Sequence, residues 1–124
     1  MIKKVLIIDD SLIARKILKK CLPENHQFEL HEAADGLAGF NKYKELNPDV
    51  TFMDLTMPVM DGTESLEKII NYDNNAIVIV CTADIQIKSL TKVMDLGALL
   101  IVRKPPTKES VQQALKQAEQ SLGS

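Results

Sequence analysis

Three aspartates stand where two apolar runs of the chain stop, and they are the residues best suited to chemistry. Asp9 and Asp10 follow the apolar run 5–8, and Asp54 follows the run 50–53. An apolar run that stops abruptly at carboxylates is typical of a buried strand that delivers acids to one edge of a sheet. If both strands are parallel neighbours, the acids meet at their carboxyl ends, where open α/β sheets bind ligands.

Carboxylates held this close together need a cation. Two negative charges about 5 Å apart repel each other by roughly 3 kcal/mol at an effective dielectric constant of about 20. No histidine or cysteine lies near the three acids in sequence. A donor set of carboxylate oxygens favours a hard ion such as Mg²⁺, which keeps open positions for water and phosphate. The sequence therefore predicts a magnesium site.

Two later strand ends add a hydroxyl and a cation to the same edge. Thr82 follows the apolar run 76–81, and Arg103 and Lys104 follow the run 98–102. Together with the acids, these groups could bind a metal ion and a phosphoryl group.

Within this set, Asp54 is the candidate nucleophile, because a carboxylate can form an acyl phosphate. Mg²⁺ held by Asp10 and Asp54 would neutralise some phosphoryl oxygens, and Thr82 and Lys104 would bind the others. Each residue alone has a plainer interpretation, such as a helix cap, a turn or a solvated lysine. Their placement at one edge of one sheet favours the functional interpretation.

The apolar pattern predicts an alternating α/β fold. Strand-like runs are followed by apolar residues at helical spacing, of which the first set is Ile13, Ile17, Leu18 and Leu22. The predicted strands are 5–8, 28–33, 50–53, 76–81 and 98–102. Five such units imply a doubly wound parallel sheet with helices on both faces. They are too few to close an eight-stranded barrel, which needs about 250 residues.

Local signals mark several element ends. Gly97 is a natural cap for the end of the fourth helix, and Thr107 can cap the start of the last one. Asp35-Gly36 and Asp61-Gly62 are read as turns.

Length and composition exclude several classes of protein. The chain has 124 residues, 45% of them hydrophobic and 26% charged, and we expect one domain over residues 1–124. A net charge of −2 argues against direct nucleic-acid binding. Neither a membrane span nor a secretory signal is found, so we expect a cytoplasmic protein with no membrane contact. Cys21 and Cys81 are interpreted as buried small apolar residues.

In its motifs the chain resembles the receiver domain of two-component response regulators, particularly the single-domain chemotaxis regulators. The resemblance extends over essentially the whole chain. The matching segments are Asp9-Asp10-Ser11, Asp54-x-x-Met57-Pro58-x-Met60-Asp61-Gly62, Thr82-Ala83, Leu96-Gly97-Ala98 and Lys104-Pro105.

The resemblance implies a (βα)5 fold with the flavodoxin-like strand order 2-1-3-4-5. It implies that Asp54 accepts a phosphoryl group from a phosphohistidine of a sensor histidine kinase or a histidine phosphotransfer protein. Asp10, Asp54 and the backbone carbonyl of Thr56 would bind Mg²⁺ directly, and Asp9 would act through a water molecule. No enzymatic turnover is expected beyond slow self-dephosphorylation.

The resemblance also implies how the phosphoryl signal is read. Lys104 would pair with phosphoryl oxygens, and Thr82, with Ala83 beside it, would move to bind one of them. The Lys104-Pro105 peptide bond would be cis. The surface formed by helix four, strand five and helix five would then change its affinity for a downstream protein target.

Two positions depart from the family pattern around the switch. Ile101 occupies a position that often carries Tyr or Phe, so the coupling between phosphorylation and the output surface is expected to differ. Pro106 stands where an aromatic residue commonly follows the Lys-Pro pair. Thr56 and Asp84 occupy the two positions that tune the lifetime of the acyl phosphate in this family.

Several alternatives remain open on the sequence. The chain ends soon after the predicted fifth helix, so we expect the receiver itself to make the output contact unless it is part of a longer regulator. A receiver that acts as an unphosphorylated scaffold is a second alternative. A haloacid-dehalogenase-like phosphatase lacks its second acid here, because Thr56 stands two residues after Asp54. A flavin-binding module would need a phosphate loop where Asp9 and Asp10 stand.

Overall fold

A computed structural model describes residues 1–123 of the chain. Its elements are β1 (Lys4–Ile8), α1 (Leu12–Cys21), β2 (Glu29–Ala33), α2 (Gly36–Leu46), β3 (Val50–Met53), α3 (Gly62–Tyr72), β4 (Val78–Thr82), α4 (Ile87–Leu96), β5 (Leu100–Arg103) and α5 (Lys108–Leu122). The strands form one parallel sheet in the order β2-β1-β3-β4-β5. Both the predicted (βα)5 fold class and the predicted strand order are confirmed.

The sheet separates two apolar clusters, which explains why its central strands are apolar throughout. Val5 and Ile7 of β1 point to the cluster that α1 and α5 cover. Leu6 and Ile8, which alternate with them, point to the cluster beneath α2, α3 and α4. Strands that are buried on both faces read as continuous apolar runs, as seen here.

Side-chain caps fix where the helices begin. Four helices begin with a side chain that accepts a hydrogen bond from the backbone N–H three residues further on. These N-cap residues are Ser11, Asp35, Asp61 and Thr107. The Thr107 cap is therefore confirmed, and so is the Gly97 cap, whose φ of 115° is left-handed. The two pairs interpreted as turns, Asp35-Gly36 and Asp61-Gly62, instead supply the N-cap and first residue of α2 and α3.

Two predicted strands were placed too early in the chain. The backbone N–H of Ala76 closes a turn onto Asp73, and that of Ala98 bonds Val93 at the end of α4. Both apolar residues thus precede their strands, and β4 extends to Thr82 and β5 to Arg103.

Helix α1 exposes more apolar surface than the helical spacing of its apolar residues predicts. Leu18 and Leu22 are buried, but Ile13 is 70% exposed and Ile17 is 42% exposed. Both cysteines are buried and free, as predicted. None of the helices within residues 1–123 is long and apolar enough to cross a membrane.

Candidate functional site at the carboxyl edge

The structure brings the three aspartates together because β1 and β3 are parallel neighbours in register. Ile8 pairs with Met53, the last residue of β3, and Asp54, which follows it, donates its backbone N–H to the carbonyl of Ile8 at 2.9 Å. Asp9, Asp10 and Asp54 each place a carboxylate oxygen within 4.8 Å of the others. The acidic cluster predicted from the strand ends is therefore present at one edge of the sheet.

Asp9 is the most constrained member of the cluster. It is 6% exposed. Its Oδ1 accepts a hydrogen bond from the N–H of Ser11 at 2.9 Å, and its Oδ2 accepts one from Nζ of Lys104 at 2.7 Å. Since both carboxylate oxygens already have partners, this side chain is better placed to act on a metal through water than to bind it directly.

Asp54 has one oxygen engaged and one open. Its Oδ1 accepts a hydrogen bond from the N–H of Leu55 at 2.9 Å and lies 3.5 Å from Nζ of Lys104. Among residues 1–123, none donates a hydrogen bond to Oδ2. Burial raises the pKa of Asp54; the positive charge of Lys104 opposes this rise, and the negative charge of Asp9 adds to it. Oδ2 is thus an uncommitted oxygen atom that stays accessible on a side chain that is otherwise largely buried.

Lys104 supplies the cation at this edge. Burial alone would lower the pKa of this ammonium group, but the hydrogen bond to Asp9 and the charges of Asp54 and Asp9 outweigh it and raise the pKa. Lys104 therefore stays charged and faces both carboxylates. The neighbouring Arg103, the other basic candidate, is exposed.

Thr82 ends β4 at the same edge and is 2% exposed. Its Oγ1 accepts a hydrogen bond from the N–H of Asp84 at 2.9 Å, which leaves the hydroxyl proton available for a second acceptor. Ala83, the next residue, is exposed and lines the cleft that contains Asp54 and Lys104.

The donor set fits Mg²⁺. Asp10 is exposed, and within the described part of the chain its carboxylate has no hydrogen-bond donor, so it is free to rotate. Oxygens bound to one Mg²⁺ at about 2.1 Å lie at most about 4.2 Å apart, which is close to the spacing of the cluster. Thr56, whose backbone carbonyl is the remaining predicted metal ligand, is exposed in the loop that follows Asp54.

The last strand and the connection after it carry two further features that bear on the site. Ile101 is half-buried in β5 and packs against the cluster beneath α2, α3 and α4. The peptide bond between Lys104 and Pro105 is cis.

Glycines fix the backbone of the acceptor loop, a role that the sequence interpretation missed. A Cβ on Gly62 would overlap the carbonyl oxygen of Asp54, and one on Gly36 would overlap that of Met60. The N–H of Gly62 bonds Leu55 at 2.7 Å, and that of Gly36 bonds Met60 at 3.0 Å. The loop between β3 and α3 is therefore closed by backbone contacts that leave no room for a side chain.

Arg15 is a second residue that the sequence interpretation missed. Its guanidinium donates to the backbone carbonyl of Asp9 at 2.6 Å and to Glu32 of β2 at 2.7 Å. Lys19, one turn further along α1, also bonds Glu32 at 3.0 Å. The sequence offered one signal for this role, which is a basic residue near the start of the helix that follows the acids. These contacts hold the β1–α1 connection against β2.

The chain belongs to the response regulator receiver domain family, whose model matches residues 5–116. It is 38% identical over 116 residues to the chemotaxis protein CheY of Halobacterium salinarum, covering 93% of this chain and 95% of that protein. It is also 38% identical over 112 residues to protein CcdB of Bacillus subtilis, covering 90% of this chain and 93% of that protein.

Solved structures show the same fold. The structure of the CheX–CheY–BeF3–Mg²⁺ complex from Borrelia burgdorferi matches with a TM-score of 0.88 and 32% identity, covering 94% of this chain and 89% of that chain. Receiver domains are signalling domains that bind Mg²⁺ at an acidic pocket, and the Asp9, Asp10 and Asp54 cluster occupies the corresponding edge here.

Proposed function

We propose that this chain is a phosphoacceptor in two-component signalling. Asp54 takes a phosphoryl group from a phosphohistidine of a sensor histidine kinase or a histidine phosphotransfer protein. The observation that carries the proposal is the carboxylate of Asp54, which lies among two further carboxylates and the ammonium of Lys104 and has one oxygen without a hydrogen-bond donor among residues 1–123. A nucleophilic oxygen, a metal site and a fixed cation are the parts that phosphoryl transfer needs.

In the proposed transfer, an oxygen of Asp54 attacks phosphorus while the bond from phosphorus to the donor imidazole nitrogen breaks. The electron pair of that bond returns to the imidazole. Mg²⁺, when bound, neutralises the phosphoryl oxygens and the attacking carboxylate. Asp10, Asp54 and the carbonyl of Thr56 would bind it directly, and Asp9 would contribute through water. Lys104 pairs with a phosphoryl oxygen, because its ammonium already lies between Asp9 and Asp54.

The new dianion on Asp54 is the switch. Thr82 can donate its hydroxyl proton to a phosphoryl oxygen while it still accepts from Asp84. Inward movement of Thr82 leaves space that Ile101 of β5 would fill, which changes the surface formed by α4, β5 and α5. Ile101 is smaller than an aromatic residue and has no hydroxyl group, so we expect a smaller structural change than a Tyr or Phe there would produce.

The output is a contact with a downstream protein. The Borrelia burgdorferi CheY structure contains CheX, and several relatives are named chemotaxis proteins. We therefore propose a role in chemotaxis signalling within the cytoplasm, with no direct nucleic-acid or membrane contact. Residues 1–124 would act as one receiver domain, with no turnover other than slow self-dephosphorylation.

The experiment is incubation of the purified chain with Mg²⁺ and acetyl phosphate, followed by intact mass measurement. We expect one phosphoryl group on the wild type, none on Asp54→Asn and none when EDTA is present. Asp61→Asn is the matched control, because Asp61 caps α3 outside the cluster; it should be phosphorylated like the wild type. A phosphoryl group on Asp54→Asn would refute the assignment, and an unreactive wild type would favour the scaffold alternative.

A further inference from the structure

A cleft opens beside the acceptor site, and its apolar walls take no part in the proposed phosphoryl chemistry. It has a volume of about 310 Å³ and lies between α1 and the connection from β5 to α5. Its apolar walls include Ala14, Ile17, Phe52, Cys81, Pro105 and Pro106. We call it the α1–β5 cleft. Its volume is at the lower end of the range of small-molecule sites, which starts at about 300 Å³.

Small side chains on both sides keep the cleft open. The α1 side presents the single methyl group of Ala14, and the opposite side presents the compact ring of Pro106. Cys81 of β4, which is 4% exposed, also lines the cleft, and the fully buried Phe52 of β3 lies behind its wall. The cleft therefore reaches the apolar core, and a ligand in it would bury apolar surface on several sides.

Charge at one end of the cleft selects the ligand. Within the described part of the chain, the charged side chains that line it are Asp9, Asp54 and Lys104. Their net negative charge disfavours an anion, and a metal ion bound to the same carboxylates would disfavour a cation. An uncharged molecule with an N–H or O–H donor avoids both penalties and can still bond a carboxylate oxygen.

We propose that the α1–β5 cleft binds a small, uncharged, largely apolar molecule, with its apolar part against Ala14, Ile17 and Pro106 and a hydrogen-bond donor directed towards Asp54. This goes beyond the phosphoacceptor function and does not depend on it, since the apolar walls of the cleft take no part in phosphoryl transfer. Binding would place a ligand against the acceptor residue itself.

The test is titration of the metal-free, unphosphorylated, ¹⁵N-labelled chain with indole, followed by amide chemical shifts. We expect saturable shifts at Ala14, Ile17 and Ala83, with a Kd on the order of 1 mM or tighter for a ligand of this size. Ala14→Phe should fill the cleft and weaken binding at least about tenfold. Lys16→Phe adds the same side chain at an exposed position of α1 outside the cleft and should bind like the wild type.

A second variant covers the case in which Ala14→Phe does not fold. Ile17→Ser removes part of one wall at a side chain that is 42% exposed, and it should weaken indole binding several-fold while the circular dichroism spectrum is unchanged. Shifts that do not saturate, that lie away from the cleft, or that are the same in the wild type and the folded cleft variants would overturn the proposal.

Discussion

Nζ of Lys104 lies 2.7 Å from Oδ2 of Asp9, a contact between residues that are 95 positions apart in the chain. The two residues follow β5 and β1, which are separated in the sheet by β3 and β4. The contact therefore crosses the full width of the acidic site, above the end of β3 that carries Asp54. One ammonium group serves as the counterion for carboxylates from two strands.

This arrangement predicts how Lys104 affects the metal. In Lys104→Met the acidic cluster loses its fixed positive charge, so we expect Mg²⁺ affinity to rise about tenfold, equivalent to about 1.4 kcal/mol. Arg103→Met, which removes the exposed neighbouring charge, should change the affinity by less than about twofold. Isothermal titration with Mg²⁺ measures both. An unchanged affinity in Lys104→Met would mean that the ammonium does not act on the metal site.

Asp54 should destabilise the metal-free fold at neutral pH. Its pKa is raised in the folded state, so the unfolded chain binds the proton less tightly than the folded chain does. The fold favours the neutral form of Asp54, and the stabilisation that this form gives is fully present below pH 3.8, the ordinary pKa of the group. This stabilisation is lost as the pH rises through the raised pKa of the folded state. Asp54→Asn should therefore be more stable than the wild type at pH 7 in EDTA.

Urea unfolding at several pH values measures this effect. The stability difference between Asp54→Asn and the wild type should shrink as the pH falls through the raised pKa of Asp54, and little of it should remain below about 4, because Asp54 is then largely neutral in both states. Added Mg²⁺ should stabilise the wild type more than the variant. A wild type more stable than Asp54→Asn at pH 7 in EDTA would contradict the sign of the pKa shift.

Gly62→Ala should distort the acceptor loop. Its new methyl group would overlap the backbone carbonyl of Asp54, an atom that cannot rotate away. We expect a loss of at least about 2 kcal/mol in the free energy of unfolding and slower phosphorylation by acetyl phosphate. Gly123→Ala is the control, because the nearest atom to its Cβ is 3.7 Å away. Equal stability of the two variants would show that the loop can move.

The strand ends were the strongest signal in the sequence, because a parallel sheet brings the ends of its strands to one edge. This is why the cluster of Asp9, Asp10 and Asp54 could be predicted from residues far apart in the chain. Thr82 and Lys104 were predicted at the same edge for the same reason. The predicted bounds of β4 and β5 were nevertheless one or two residues too early in the chain.

Features that depend on tertiary contacts could not be predicted in the same way. Gly36 and Gly62 look like turn residues, since their partners are backbone carbonyls that only folding brings near. The contact of Arg15 with the carbonyl of Asp9 depends on where α1 lies across the edge. Ile13 and Ile17 fit a helical period, but which side of α1 faces the sheet is decided by packing.

Val59 is predicted to strain the acceptor loop. Its φ of 67° is left-handed, which is costly for a β-branched residue, and its side chain is 80% exposed. Val59→Asn should stabilise the fold by about 1 kcal/mol, because Asn tolerates this conformation. Ile85→Asn is the control, since Ile85 is also exposed in a loop at this edge but has an ordinary negative φ. Thermal unfolding that shows the same change for both variants would exclude relief of backbone strain as the cause.

Thr51 carries a buried hydroxyl whose oxygen has no hydrogen-bond partner among residues 1–123. The residue is 0% exposed in β3, so its Oγ1 has lost its water without gaining a protein donor or acceptor. Thr51→Val replaces that hydroxyl with a methyl group of similar shape and should stabilise the fold by about 1 kcal/mol. Thr51→Ser keeps the hydroxyl, removes a buried methyl group and should destabilise it by about 1 kcal/mol. Urea unfolding separates the two effects, and a destabilised Thr51→Val would mean that a buried water satisfies the hydroxyl in solution.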